Sequence, residues 1–249
     1  MPLSHLTFVQ WMLVAMAALC IGLAKSGLAG MGMISVLLMA EVLPSRESTG
    51  TVLPLLICGD VLAVLVFQKH AHWQHIWKVM PPALVGIFIG YFLMKRIPEH
   101  VFRPLIGWII ITLTLLQFWR KRNPEALQHV PHTRGFAWLM GGASGITTMM
   151  ANAAGPVMAV YLLAVSLPKL AFVGTAAWFF LIINLFKVPF SAQLGLINES
   201  SLVLDAVLVP AVACGIGIGG YLVKILPQEL FESITLFFAA AVSIRFILT

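Results

Sequence analysis

Residues 135–168 read GFAWLMGGASGITTMMANAAGPVMAVYLLAVSLP, and their reading sets the architecture. No charged side chain occurs in these 34 positions. As one helix the run would be about 51 Å long at 1.5 Å per residue. A bilayer core is about 30 Å thick, so the run exceeds one span and falls short of two with a turn. Its middle, MMANAAGP, holds Asn152, Gly155 and Pro156. Proline removes a backbone donor and disfavours helix at the residue before it. The economical solution is two shortened helices meeting in an irregular turn within the membrane. Non-helical backbone at that depth is tolerated only when buried in protein or lining a wet cavity.

The membrane itself follows from composition. Of 249 residues 60% are apolar and 10% are charged, with a mean hydropathy of +0.99. A soluble globule is about a quarter charged, so this chain lacks the polar residues to cover a water-facing surface. Disorder, a coiled coil and a disulfide scaffold are excluded on the same grounds. The net charge of +6 does not indicate a nucleic-acid partner. Its cations sit at segment ends, as in Lys95-Arg96, Arg120-Lys121-Arg122 and Lys224, where they orient helices against the membrane. Cys20, Cys58 and Cys214 are far apart in apolar runs, with neither metal spacing nor a pairing pattern. The N-terminal apolar run lacks a basic flank and reads as a first helix rather than a cleaved leader.

Hydropathy breaks at polar or proline-containing turns. The expected segments are 5–24, 27–43, 48–68, 77–95 and 101–119, then 135–150, 153–167, 170–190, 202–223 and 228–248. Between the two groups of five lies the hydrophilic stretch RKRNPEALQHVPHTR, residues 120–134. The expected organisation is a first repeat over 1–119, a linker over 120–134 and a second repeat over 135–249. Several correspondences support the duplication. Pro44 precedes Gly50-Thr51 as Pro168 precedes Gly174-Thr175, and Asp60 meets Asn184 at the same offset of 124. Gly90-Tyr91, Pro98 and Phe102 match Gly220-Tyr221, Pro227 and Phe231 at offsets of 129–130. Five is an odd number, so the second half enters from the opposite side. The expected fold is therefore an all-α polytopic membrane protein of two inverted-topology repeats, each starting with a broken or re-entrant helix.

The first half has its own break at GLAKSGLAGMG, residues 22–32, where four glycines surround Lys25 and Ser26. Interrupted segments at corresponding places in two halves point to a transport site. Glycines also serve plain helix packing, but here both clusters stand beside polar residues. A carrier of a compact anion needs ammonium groups, amides, hydroxyls and helix N-termini. The candidates for binding are Lys25, Ser26 and Gly27 in the first break, and Asn152 and Gly155 in the second. Thr175, Asn184 and Lys187 in segment 170–190 join them. Asn184 lies three residues before Lys187 and shares its face, whereas Thr175 is two and a half turns away. Asp60 reads as the one acid deep in an apolar segment. A structural or coupling role suits it and Thr51 better than contact with an anion. An intramembrane lysine at 187 faces a cavity or partner unless it snorkels to an interface.

Other chemistry finds no support. His70, His72 and His75 cluster in a short loop, and His100, His129 and His132 also fall in loops. No Walker A, HExxH or GxSxG motif is present. The glutamates are scattered rather than gathered at one membrane face. No cofactor or metal is expected.

The stretches GLAKSGLAGMGMISVLLMAEVLP (22–44) and SGITTMMANAAGPVMAVYLLAVSLPKLAFVGTAAWFFLIINLFKVPF (144–190) resemble the paired signatures of the TauE/SafE family. The resemblance covers nearly the whole chain. It departs at Asn152, where many members have His, and at Val157, where they have a second proline. It implies a multi-pass bacterial inner-membrane carrier of sulfite or a small organosulfur anion, with export as the expected direction. An anion channel and an intramembrane enzyme are the alternatives. The partners implied are a small anion and the bilayer, with a coupling proton or cation and an oligomer left open and no nucleic acid.

Counting Lys and Arg on alternating sides gives nine against five. That places the 120–134 linker in the cytoplasm and both termini outside. A cysteine placed at Gln128 in a cysteine-free background should therefore escape an impermeant external thiol reagent in intact cells. Labelling there would invert the topology.

Overall fold

A computed structural model describes residues 6–28, 30–123, 133–225 and 244. Every regular element among them is helical. In chain order these are α1 (Phe8–Lys25), α2 (Met31–Val42), α3 (Ser45–Phe67), α4 (Trp73–Arg96) and α5 (Glu99–Arg122). The second half gives α6 (Arg134–Ala151), α7 (Ala154–Ala164), α8 (Lys169–Gln193) and α9 (Glu199–Ile225). A single 3₁₀ turn, Gln68–His70, joins α3 to α4. The expected segment 228–248 and most of the linker lie outside the described residues. α5 runs three residues further than expected because Arg120, Lys121 and Arg122 are good helix formers that suit a helix C-terminus.

Among the described residues five helices are long and apolar enough to cross a membrane: Phe8–Lys25, Arg46–His70, Trp73–Arg96, Leu170–Gln193 and Ser201–Leu222. α2 and α7 are not. With 12 and 11 residues they reach only about 16–18 Å, little more than half of an about 30 Å core. Each follows directly on an 18-residue helix. The uncharged run 135–168 is thus a helix, a break and a half-helix.

Local chemistry explains the boundaries. Thr7 and Gln10 form a capping box that starts α1, and Thr133 accepts from the Phe136 N–H at 3.2 Å to start α6. Asn152 ends α6 in the left-handed conformation (φ 50°), which asparagine tolerates better than most residues. Pro156 then falls in the first turn of α7, where its missing N–H has no helical partner to lose. Gly27, at φ +110°, makes the corresponding turn after α1. Asn198 and Ser201 cap the start of α9 reciprocally.

The helices form two packed groups. One core joins α1, α3 and α9 with the end of α2 around Val14, Ile21, Leu55 and Leu208. The larger core joins α2, α4, α5, α6, α7 and α8 around Ile87, Phe102, Tyr161 and Phe179. A glycine interlock lies within each group. α1 packs along α9, where a Cβ on Gly22 would strike the backbone of Val212 and Gly215. α4 packs along α6, where a Cβ on Gly145 would strike the Ala83 carbonyl. Small residues let backbones approach this closely, the usual means of association where lipid removes the hydrophobic drive. Large apolar side chains such as Trp108, Leu115, Trp138 and Val207 remain on the outside, as a lipid-facing surface requires.

Gly145→Val should lower the melting temperature of the detergent-purified protein, since overpacking costs about 1–3 kcal/mol. Gly217→Ala, which meets nothing within 4 Å, should not. Equal melting of the two variants would remove the α4–α6 interlock as a determinant of stability.

Candidate functional site

Both breaks open onto one cavity of about 80 Å³, space for several waters or one small solute. The first break contributes Lys25, Gly27 and Gly32; the second contributes Asn152, Ala153, Ala154, Gly155 and Pro156. Thr148, Ser35 and Asn184 complete the polar part of the lining. The remaining wall is apolar, with Met33, Met158, Phe172 and Phe180 among its larger members.

Behind this lining runs a continuous chain of polar contacts. Lys25 Nζ lies 2.5 Å from Asp60 Oδ1 and 4.8 Å from the centre of the Phe180 ring. Asp60 is fully buried, and its Oδ2 accepts from Asn184 Nδ2 at 2.7 Å. Lys187 Nζ donates to Asn152 Oδ1 at 2.6 Å, to Thr148 Oγ1 at 3.2 Å and to Asn184 Oδ1 at 3.4 Å. Asn152 Nδ2 in turn donates to the Thr49 carbonyl at 2.8 Å. α1, α3, α6 and α8 are thereby tied through two lysines and one carboxylate. The formal sum is one positive charge. Lys187 is 1% exposed and does not line the cavity. It meets neutral oxygens rather than a carboxylate, and it fixes which way two lining asparagines face.

Each half-helix directs its first turn at the same space. Neither α2 nor α7 has a side-chain cap. The opening N–H groups of a helix have no partner within it and carry partial positive charge. Gly32 at the start of α2, and Ala154 and Gly155 at the start of α7, line the cavity. Lys25 can spare two of its three N–H donors beyond Asp60. In α2 the Met31 and Met33 N–H groups are taken by the Leu28 and Gly30 carbonyls; a cavity that gathers an ammonium, amides and helix starts has the chemistry to hold a small anion.

Comparison with known families decides the wider assignment. The family model "Sulfite exporter TauE/SafE" matches residues 14–246. The chain belongs to the TauE/SafE family. Neither a curated protein nor a solved structure matches it. As a TauE/SafE protein with five helices fit to span a membrane, it is a multi-pass membrane transporter and not an enzyme.

Some of the candidates named from sequence meet at the TauE/SafE cavity and others do not. Lys25, Gly27, Asn152, Gly155 and Asn184 line it, with Asp60 and Lys187 directly behind. Ser26 turns away, donating to the Leu23 carbonyl at 2.8 Å beneath Gly219. Thr175 Oγ1 accepts from the His72 N–H at 2.9 Å and holds the start of α4, not the cavity. Thr51 is buried outside the lining. The glycines preceding these two threonines explain their shared motif: Gly50 admits Leu196 and Gly174 admits the Phe67–Ala71 turn at backbone contact. Thr148 was not foreseen, although it stands one turn before Asn152 on the same face. Asp60 is not the only acid buried in an apolar segment. Asp205 of α9, three residues inside the expected segment 202–223, is 4% exposed.

Breaking one partner of a buried pair is costlier than removing both, typically about 3–5 kcal/mol. Asp60→Asn should therefore depress the melting temperature strongly, and adding Lys25→Met should recover part of the loss. Additive losses in the double variant would show that the pair is not coupled.

Proposed function

We propose that the chain is a secondary carrier that exports a small oxyanion, sulfite or an organosulfonate, by alternating access. The observation that carries this reading is the meeting of Lys25 with the first turns of α2 and α7, neither of them capped by a side chain, in one cavity. A sulfonate or sulfite offers several acceptor oxygens, and the site offers ammonium, amide and backbone donors at more than one angle. The mostly apolar remainder of the wall suits an anion with a small organic body. Lys25 and the helix ends contact the anion, and Lys187 orients Asn152 and Asn184 from behind. Export is taken from the family's description as sulfite exporters.

Alternating access is supported by how the halves correspond. The Gly22–Gly215 contact maps onto Gly145–Gly86 with shifts of 123 and 129 residues, close to the offsets of the sequence repeat. The Asp60–Asn184 hydrogen bond joins equivalent positions of the two halves. A contact between mates lies on the axis that relates them, where an inverted-repeat carrier keeps its substrate site. The domains we assign are accordingly 1–119 and 135–249 joined by 120–134, in a bacterial inner membrane with external termini.

The test is calorimetric titration of the purified protein with sulfite, methanesulfonate, acetate and chloride. Sulfite or methanesulfonate should bind best. The double variant Lys25→Met/Asp60→Asn loses a charge-assisted donor without stranding a carboxylate. Its affinity should fall by about 1.5–3 kcal/mol, roughly 10- to 150-fold. Wild-type affinity in that variant would remove Lys25 from the anion site.

A further inference from the structure

Asp205 has no role in the site described above. It lies in the inward stripe of α9 with Ser201, Leu208 and Val212, all buried. Both of its carboxyl oxygens are inaccessible and have no hydrogen-bond partner among the described residues. It is the seventh residue of α9, so the free N–H groups of the helix's first turn lie behind it. The face it occupies packs on α1 and α3. Two turns further along, Val212 abuts Gly59 and Gly22, beside the Lys25–Asp60 pair. Asp205 is therefore about 10 Å along α9 from that pair, toward the connection at 194–198.

The titratable groups on the surrounding helices are few. α1 carries Cys20 and Lys25; α3 carries Arg46, Glu47, Cys58 and Asp60; α9 itself carries, besides Asp205, Glu199, Cys214, Tyr221 and Lys224. Lys25 is engaged by Asp60. No cation of these helices pairs with Asp205 among the described residues. An ionised carboxylate in an apolar seam without a donor is among the least favourable arrangements a membrane helix can hold.

We propose that Asp205 is a proton-binding site, separate from the anion cavity, that carries its proton while α9 is closed against α1 and α3. When the seam opens to water, the O–H bond breaks, the proton passes to a water molecule and a hydrated carboxylate remains. Closing the seam requires the reverse. Proton uptake thus favours the closed form, and by linkage closing raises proton affinity. The proton site stands on geometry alone; its coupling to transport rests on the carrier reading.

Infrared spectra of the full-length protein decide the site. The wild type should show the carbonyl stretch of a neutral carboxylic acid at neutral pH, shifted in D₂O and absent in Asp205→Asn. Asp205→Glu should move the band rather than remove it, which guards against a variant that fails to fold. A difference spectrum containing only carboxylate bands would overturn the proposal. Coupling is read in proteoliposomes holding a pH dye, with methanesulfonate as probe because it brings no proton of its own. Asp205→Asn should exchange labelled for unlabelled methanesulfonate like the wild type, and lose the pH change that accompanies net methanesulfonate uptake down an imposed gradient. An undiminished pH change would overturn the coupling. If the wild type moves no methanesulfonate, the carrier reading fails for that probe, and the infrared band still decides the proton site.

Discussion

Two lysines and an aspartate buried between membrane helices must find partners within the protein, because lipid supplies none. The ion pair of Lys25 with Asp60, continued through Asn184 to Lys187, meets that requirement, and much of the structure is arranged around it. Asp60 anchors α3 to α1 and α8. Lys187 anchors α8 to the end of α6 by holding Thr148 and Asn152. The break at Asn152 is thereby stabilised from outside itself. Its left-handed backbone is held by a side chain whose two ends are bonded to α8 and to α3.

Irregular backbone inside a membrane protein has a second requirement, which is shielding. The turns after α1 and α6 are enclosed because the helices that carry them press against α9 and α4 at glycine contacts. Those contacts leave no room for side chains, so the polar backbone of each break faces the cavity rather than lipid. Gly22, one of the four glycines around the first break, is itself one of these tightly packed positions. Close packing in α1 and α6 and open turns at their ends are two aspects of one arrangement.

Much of this was legible in the sequence, for identifiable reasons. The charge-free run around Asn152 and Pro156 had a length that fits neither one helix nor two, and the structure resolves it as α6, a break and α7. Lys25, Asn152, Asn184 and Lys187 were found because polar groups in apolar segments are expensive and few. The threonines were harder. Thr51 and Thr175 drew attention through a repeated Gly-Thr pair, yet what repeats is the close approach of a turn to the glycine. Thr148 stayed hidden because a hydroxyl within a helix can always bond its own backbone, so nothing in its local sequence distinguishes a lining residue from a satisfied one. Asp205 was overlooked because hydropathy alone cannot separate an acid at a membrane edge from one folded inward.

The two halves are chemically unequal where they meet. On the two-repeat reading, Asn184 stands where the first half has Asp60, Thr148 stands in the place of Lys25, and Lys187 has Ala63 as its mate. A strictly symmetric pair of repeats would bring two carboxylates together on the axis, and like charges at that distance oppose each other's ionisation. Replacing one by an amide converts that repulsion into the 2.7 Å hydrogen bond observed. It also leaves one carboxylate to balance two lysines. On the carrier reading proposed above, that uncompensated positive charge is relieved when an anion enters the cavity. That gives bound and empty forms different electrostatic demands on the same seam, which is the differential interaction any ligand-driven change of conformation requires.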